Sequence, residues 1–180
     1  MNLEAFETGL ASVIGQPSPL RPFVCEGSPL ECQVFIVGYN PATAMDGDWW
    51  RFWQKGYGYR KSEWKNEYLS QRDGKASKTR SRIETIAAEL DGVKIVEANI
   101  DARPSKRKSE YPTPVTAPFD YVLKACKPLV IIAHGVDAVA HIQALSPGCK
   151  LIQSKHFIYV GRERTAEIVA ETKAALVAEI

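Results

Sequence analysis

The sequence predicts an α/β protein: a three-layer α/β/α sandwich around a central four-stranded parallel sheet, in a single domain spanning residues 1–180. Three observations lead there. Four short apolar runs, QVFIVGYN (33–40), VKIVEAN (93–99), PLVIIAH (128–134) and CKLIQS (149–154), are separated by stretches with helical spacing. Val34 to Val37 and Leu129 to Ile132 are apolar without alternation, the pattern of strands covered on both faces. The resulting order, β-α-β-α-β-α-β-α, closes through right-handed crossovers into a parallel sheet with helices on its faces.

Each helix has its own signal. Ile83, Ile86, Ala87 and Leu90 repeat at helical spacing within 79–90. Pro118 starts a helix over Phe119 to Cys126, and Gly135 precedes one over Val136 to Leu145. The last helix places Val169, Thr172, Leu176 and Ile180 on one face. Between the first two strands, Trp49, Phe52 and Trp53 share a face if the chain turns helical there and are expected in the core, which leaves Trp50 exposed. The stretches 41–78 and 100–117 lack a clean period, and connections of that length in a compact domain are usually functional.

Composition narrows the function classes. The chain has 180 residues, 45% of them hydrophobic, enough for one well-filled core. Its formal net charge is only +2, so a nucleic-acid surface has to come from local clustering. Arg103, Lys106, Arg107 and Lys108 form one cluster, and Lys75, Lys78, Arg80 and Arg82 another. The first residues, MNLEAFETGLASVIGQ, are acidic where a signal peptide is basic, and no apolar run approaches the roughly 18 residues of a membrane span. A cytoplasmic protein without membrane contact is expected. Cys25, Cys32, Cys126 and Cys149 form no C-x-x-C pair, so neither a zinc site nor a disulfide framework is indicated.

Open parallel sheets bind ligands beyond the carboxyl ends of their strands. Here the strands end in Asn40, in Asn99 followed by IDARPS, in His134, and in Ser154-Lys155-His156. Two Asn and a His at one sheet mouth are suited to reading a pyrimidine edge, because an amide offers a donor and an acceptor in fixed geometry. No Gly-x-Gly-x-x-Gly or Walker loop follows the first strand, which argues against a generic nucleotide-binding enzyme.

VFIVGYNPAT resembles the first motif of the uracil-DNA glycosylase superfamily, most of all in its mismatch-specific branch, where a strand runs into Gly-x-Asn-Pro-Gly; this chain has Ala42 at the last position. Arg51-Phe52-Trp53 is similar to that branch's Arg-Phe-Trp run, NIDARPS (99–105) to its Asp-Arg-Pro-Thr, and VIIAHGVDAVAHI (130–142) to its third strand and following helix. SKHFIYV falls where the superfamily carries His-Pro-Ser. The similarity covers roughly residues 30 to 180.

The resemblance implies the following roles. Asn40 positions the hydrolytic water, Asn99 reads the base, His156 donates to the pyrimidine O2, and Tyr39 offers backbone near the flipped base. Trp50 is the expected stacking platform, which repays part of the unstacking cost at roughly 1–3 kcal/mol per base. Arg103, Lys106, Arg107, Lys108 and Lys155 are expected on the DNA backbone. Phe157, Ile158 or Tyr159 is expected as the wedge in the minor groove, with Phe157 assigned to DNA contact. Cleavage of the N-glycosidic bond builds negative charge on the departing base, so stabilising that anion and aligning a water suffices; no metal, iron-sulfur cluster or other cofactor is expected. Asp46 and Asp48 read as turn carboxylates rather than as a general base. The implied activity is a monofunctional DNA glycosylase, acting as a monomer on uracil or another damaged or modified pyrimidine. The alternative is a non-catalytic DNA- or nucleotide-binding protein that keeps the fold, favoured if His156 points away from the pocket.

Overall fold

The computed structural model describes residues 1–41, 45 and 47–178; Ala42, Asp46 and Ile180, each named above, lie outside them. The chain order is helix α1 (Leu3–Ile14), strands β1 (Phe23–Val24), β2 (Glu26–Gly27), β3 (Val34–Gly38), β4 (Trp53–Gln54) and β5 (Gly58–Arg60), then helices α2 (Lys61–Ser70) and α3 (Lys78–Glu89). There follow β6 (Ile95–Asn99), α4 (Ala117–Cys126), β7 (Val130–His134), α5 (Val136–Leu145), β8 (Lys150–Ser154) and α6 (Arg162–Ala178). The architecture is α/β, with a mostly parallel central sheet of five strands in the order β1-β6-β3-β7-β8. The four strands expected from the sequence run parallel to one another within it. The expected count of four is corrected by β1, which adds antiparallel to β6 with Phe23 opposite Ala98. Two residues are too few to show a period, so only the partner strand makes β1 visible.

The apolar runs explain the two covered faces. Phe35, Val37, Val96, Ala98, Ile131 and Ala133 point into one apolar cluster with Phe6 and Leu10 of α1, Phe119 and Val122 of α4, and Ala138 and Ile142 of α5. Val34, Ile36, Val130, Ile132 and Ile152 point into the other, against Ile83 and Ile86 of α3 and Ile168 of α6. Successive strand residues alternate between faces, so only strands buried on both sides can be apolar throughout. Among the described residues no helix is long and apolar enough to cross a membrane.

The segment after β3 builds a second, three-stranded antiparallel sheet in the order β2-β5-β4. Trp49 to Phe52 form a 3-10 turn rather than an α-helix, capped by Asp48, whose Oδ1 accepts from the Trp50 and Ser18 amides at 3.1 and 2.7 Å. Trp49, Phe52 and Trp53 are buried as expected. Trp50 is buried too, and its indole N–H donates to the Gly15 carbonyl at 2.7 Å, which corrects its expected exposure. In this four-residue turn the outward position falls to Arg51, while Trp50 faces the end of α1. The aromatics therefore pack on one another: Trp49 stacks on Tyr59 at 5.0 Å and meets Phe23 edge-on at 5.1 Å.

A buried charge ties the helices to the sheet. Glu97 points from β6 towards α2 and α3, where it pairs with Arg80 and, at 2.6 Å, with Lys61. Arg80 also reaches Glu84 at 3.3 Å and lies over the Trp64 ring at 4.8 Å. These contacts fasten both helices to the sheet. Removing one member of a buried pair strands the other, at about 3–5 kcal/mol, whereas removing both costs much less. Glu97→Leu is therefore expected to lower stability to urea by about 3 kcal/mol, and adding Arg80→Met to recover at least half of it. Strictly additive losses would contradict this.

Candidate functional site at the carboxyl end of the sheet

The site begins with strand register. Gly38 lies opposite Asn99, Val37 opposite Ala133, and His134 opposite Ser154, so Asn99, Gly38, His134 and Ser154 form the last row across four parallel strands. The row is polar except at Gly38, where a Cβ would stand 2.8 Å from Asn99 Oδ1 and 2.9 Å from His134 Nε2. The two side chains converge over the glycine. They face a cavity of about 560 Å³ that is also lined by Tyr39, Asn40 and His156, and that continues past Glu97 to Arg80, Trp64 and Tyr68. That volume falls within the roughly 300–1,000 Å³ usual for ligand clefts.

Asn40 follows β3 and is held from the loop after β6. Its Nδ2 donates to the Ser105 carbonyl at 3.1 Å and to the Ser105 Oγ at 2.6 Å. A carbonyl can only accept, so this contact fixes which way the amide faces and leaves Oδ1 without a partner among the described residues. Ser105 is itself fixed, its N–H donating to the Pro41 carbonyl at 3.0 Å and its hydroxyl to the Arg107 carbonyl at 3.1 Å. Serine at 105 was not singled out in the sequence, although it closes the NIDARPS motif.

The histidines form a stack. His134 is buried, lies flat on Phe157 at 4.1 Å, and meets His156 edge-on at 5.1 Å. Burial, helped by the neighbouring His156, pushes the His134 imidazole down to about 3, so the ring is neutral at physiological pH. His156 is also lowered by burial. Its Nδ1 accepts from the Ile158 amide at 3.3 Å, which places the ring proton of the neutral form on Nε2. Several polar atoms here are buried without a partner among the described residues, namely His134 Nδ1, Ser154 Oγ and Tyr39 Oη. Orphaned polar groups are costly in a core and cluster where a ligand completes them.

Tyr39, Asn40, Asn99 and His156 thus meet at one cavity, as expected. Trp50 is outside it, engaged with Gly15. Phe157 is corrected from DNA contact to packing: it is buried beneath His134, because the 3-10 turn Phe157–Tyr159 rotates it inward and leaves Ile158 and Tyr159 exposed. Arg103 already has partners inside the fold. Its guanidinium brackets the buried Asp101 at 3.0 and 2.8 Å, donates to the Thr113 carbonyl, and covers the Tyr111 ring at 4.1 Å. Burial raises the Asp101 carboxyl, but hydrogen bonds from Arg103 outweigh it and hold it below the usual range. Arg103 therefore braces the loop. Lys106, Arg107 and Lys155 are exposed, and Lys108, also exposed, pairs with Asp137 on α5 and lies 5.1 Å from the Tyr39 ring.

Neither a scan of protein-family models nor a search of curated proteins finds a match to this chain.

The neutral His134 makes the fold acid-sensitive. Its folded-state value lies below the ordinary 6.5, so beneath that pH the unfolded chain binds a proton that the folded chain refuses. The stability this group contributes is complete above pH 6.5 and is lost as pH falls towards about 3, by up to about 1.4 kcal/mol per pH unit. Denaturant unfolding of wild type and His134→Leu between pH 7 and 5 is expected to show the steeper loss in wild type. Equal slopes would contradict it.

Proposed function

We propose that this chain is a monofunctional DNA glycosylase of the uracil-DNA glycosylase type, hydrolysing the N-glycosidic bond of a flipped-out uracil or other modified pyrimidine. It acts on DNA as a monomer and requires no metal or cofactor. The observation that carries the reading is the orientation of Asn40 and His156 at one cavity. Ser105 turns the Asn40 amide so that its Oδ1 remains available to accept from a water, and the Ile158 amide turns His156 so that its Nε2–H remains available to donate.

Those are the two roles that bond cleavage needs. A water aligned on the sugar carbon by Asn40 meets the positive charge that develops there. The His156 Nε2–H strengthens its hydrogen bond as negative charge gathers on the pyrimidine O2, and a neutral donor performs this without a proton transfer. Asn99 holds the base edge by donor-acceptor matching. The Tyr39 ring, which lines the cavity, is our candidate platform in place of the buried Trp50. Tyr159, 79% exposed three residues beyond the His156 cap, is our candidate to fill the gap left by the flipped base. The presence of His156 among the residues lining the cavity supports the catalytic reading over a purely binding protein.

Single-turnover base release on uracil- and modified-pyrimidine DNA, with affinity measured separately, tests the reading. Asn40→Ala and His156→Ala are each expected to slow release by about 10²–10³ with affinity nearly unchanged, since both interactions matter chiefly in the transition state. Tyr159→Ala is expected to weaken binding instead. Wild-type release rates in both Asn40→Ala and His156→Ala would overturn the mechanism.

A further inference from the structure

We propose that His134 is a specificity-determining residue whose Nε2, together with the Asn99 amide, reads the 4-position of a pyrimidine held over Gly38. The inference rests on the glycosylase reading for the identity of the ligand, and on four observations for the site. His134 Nε2 and Asn99 Oδ1 approach the same point above Gly38, within 2.9 and 2.8 Å of where a side chain would begin. The His134 side chain is 5% exposed, and its Nδ1 has no partner among the described residues. Stacking on Phe157 at an interplanar angle of 19° fixes the plane of the ring, so its edge is held towards the cavity rather than left to rotate. The neighbouring His156 ring meets it edge-on at 5.1 Å, so the two imidazoles are close enough to serve one pyrimidine edge, His156 at O2 and His134 at position 4.

The chemistry of the group sets the substrate class. A neutral imidazole carries one donor and one acceptor, and which nitrogen holds the proton is decided by the partner of the other. Nothing among the described residues engages Nδ1, so neither tautomer is imposed. With the proton on Nε2 the ring donates to a 4-keto oxygen; with the proton on Nδ1 it accepts from a 4-amino group. The pocket accordingly takes both 4-keto and 4-amino pyrimidines and disfavours a base with nothing at position 4, which would leave buried polar atoms unsatisfied.

The test is a cycle between protein and base. Uracil, cytosine and 2-pyrimidinone, which lacks any 4-substituent, are placed in otherwise identical single-stranded oligonucleotides, so that no difference in unpairing enters. Affinity and single-turnover release are measured for wild type, His134→Leu and His134→Gln. Wild type is expected to treat uracil and cytosine within about tenfold of each other, and both at least tenfold better than 2-pyrimidinone. His134→Leu is expected to erase the preference over 2-pyrimidinone, and His134→Gln, which keeps a polar head, to restore part of it. If the affinities show this coupling while no strand loses its base, the assignment of His134 stands and the glycosylase reading fails. Equal losses on all three strands would give His134 a purely structural part and overturn the proposal, as would wild-type affinities that do not distinguish the three bases.

Discussion

The mouth of this sheet depends on a missing side chain. Asn99 and His134 come from strands on either side of β3, and they can meet above it only because position 38 carries no Cβ; one there would lie under 3.0 Å from both. Gly38 does not adopt a left-handed φ, so the requirement is space and not backbone freedom. A β-branched or even a methyl side chain would push the two polar groups outward. The pocket floor would then be an apolar row continuous with Ile36 and Ile132.

Around that gap the molecule spends buried charge and aromatic area on rigidity. Glu97, on the same face as Asn99 two residues earlier, is neutralised by Arg80 and Lys61 and thereby fixes the helices that form the far wall of the cavity. Asp101, just past the end of β6, is neutralised by Arg103, which shapes the loop that carries Ser105 to Asn40. Each buried carboxylate is worth keeping only when paired, since an unpaired one is among the most expensive groups in a fold. The second pair braces the loop that holds the Asn40 amide, and the first lies on the strand face that Asn99 shares. The aromatic cluster of Trp49, Trp50, Trp53, Phe23 and Tyr59 holds the second sheet against the first at the same corner.

Long-range pairing explains what the sequence revealed and what it withheld. The four parallel strands and the helices between them were legible because uninterrupted apolar runs and 3.6-residue spacing report burial directly. The polar residues ending those strands were legible for the same reason, since the strand ends were. Strands β1, β2, β4 and β5 were not, because two or three residues carry no period and owe their conformation to partners such as Ala98 for Phe23. Trp50 was misread because α-helical spacing was applied to a 3-10 turn, and Phe157 because a turn of three residues can rotate a side chain to either side. The partnership of Arg103 with the buried Asp101 was not legible either. Charge runs in sequence do not say which members are already partnered within the fold.

On the proposed reading a base is held in the space over Gly38, and Gly38→Ala fills that space. A new Cβ would meet the far ends of Asn99 and His134; Asn99 can swing aside, but the buried His134 ring has to shift against Phe157, so some stability is lost together with the binding geometry while the sheet is kept. The measurement is alkali-sensitive breakage of uracil- and modified-pyrimidine DNA by wild type and by Gly38→Ala, alongside their melting curves and their affinity for unmodified duplex. Wild type is expected to break these strands, and Gly38→Ala to lose at least about 10²-fold, as expected for displaced binding groups, while it stays folded at the assay temperature with its duplex affinity little changed. Breakage by Gly38→Ala at the wild-type rate would contradict the reading.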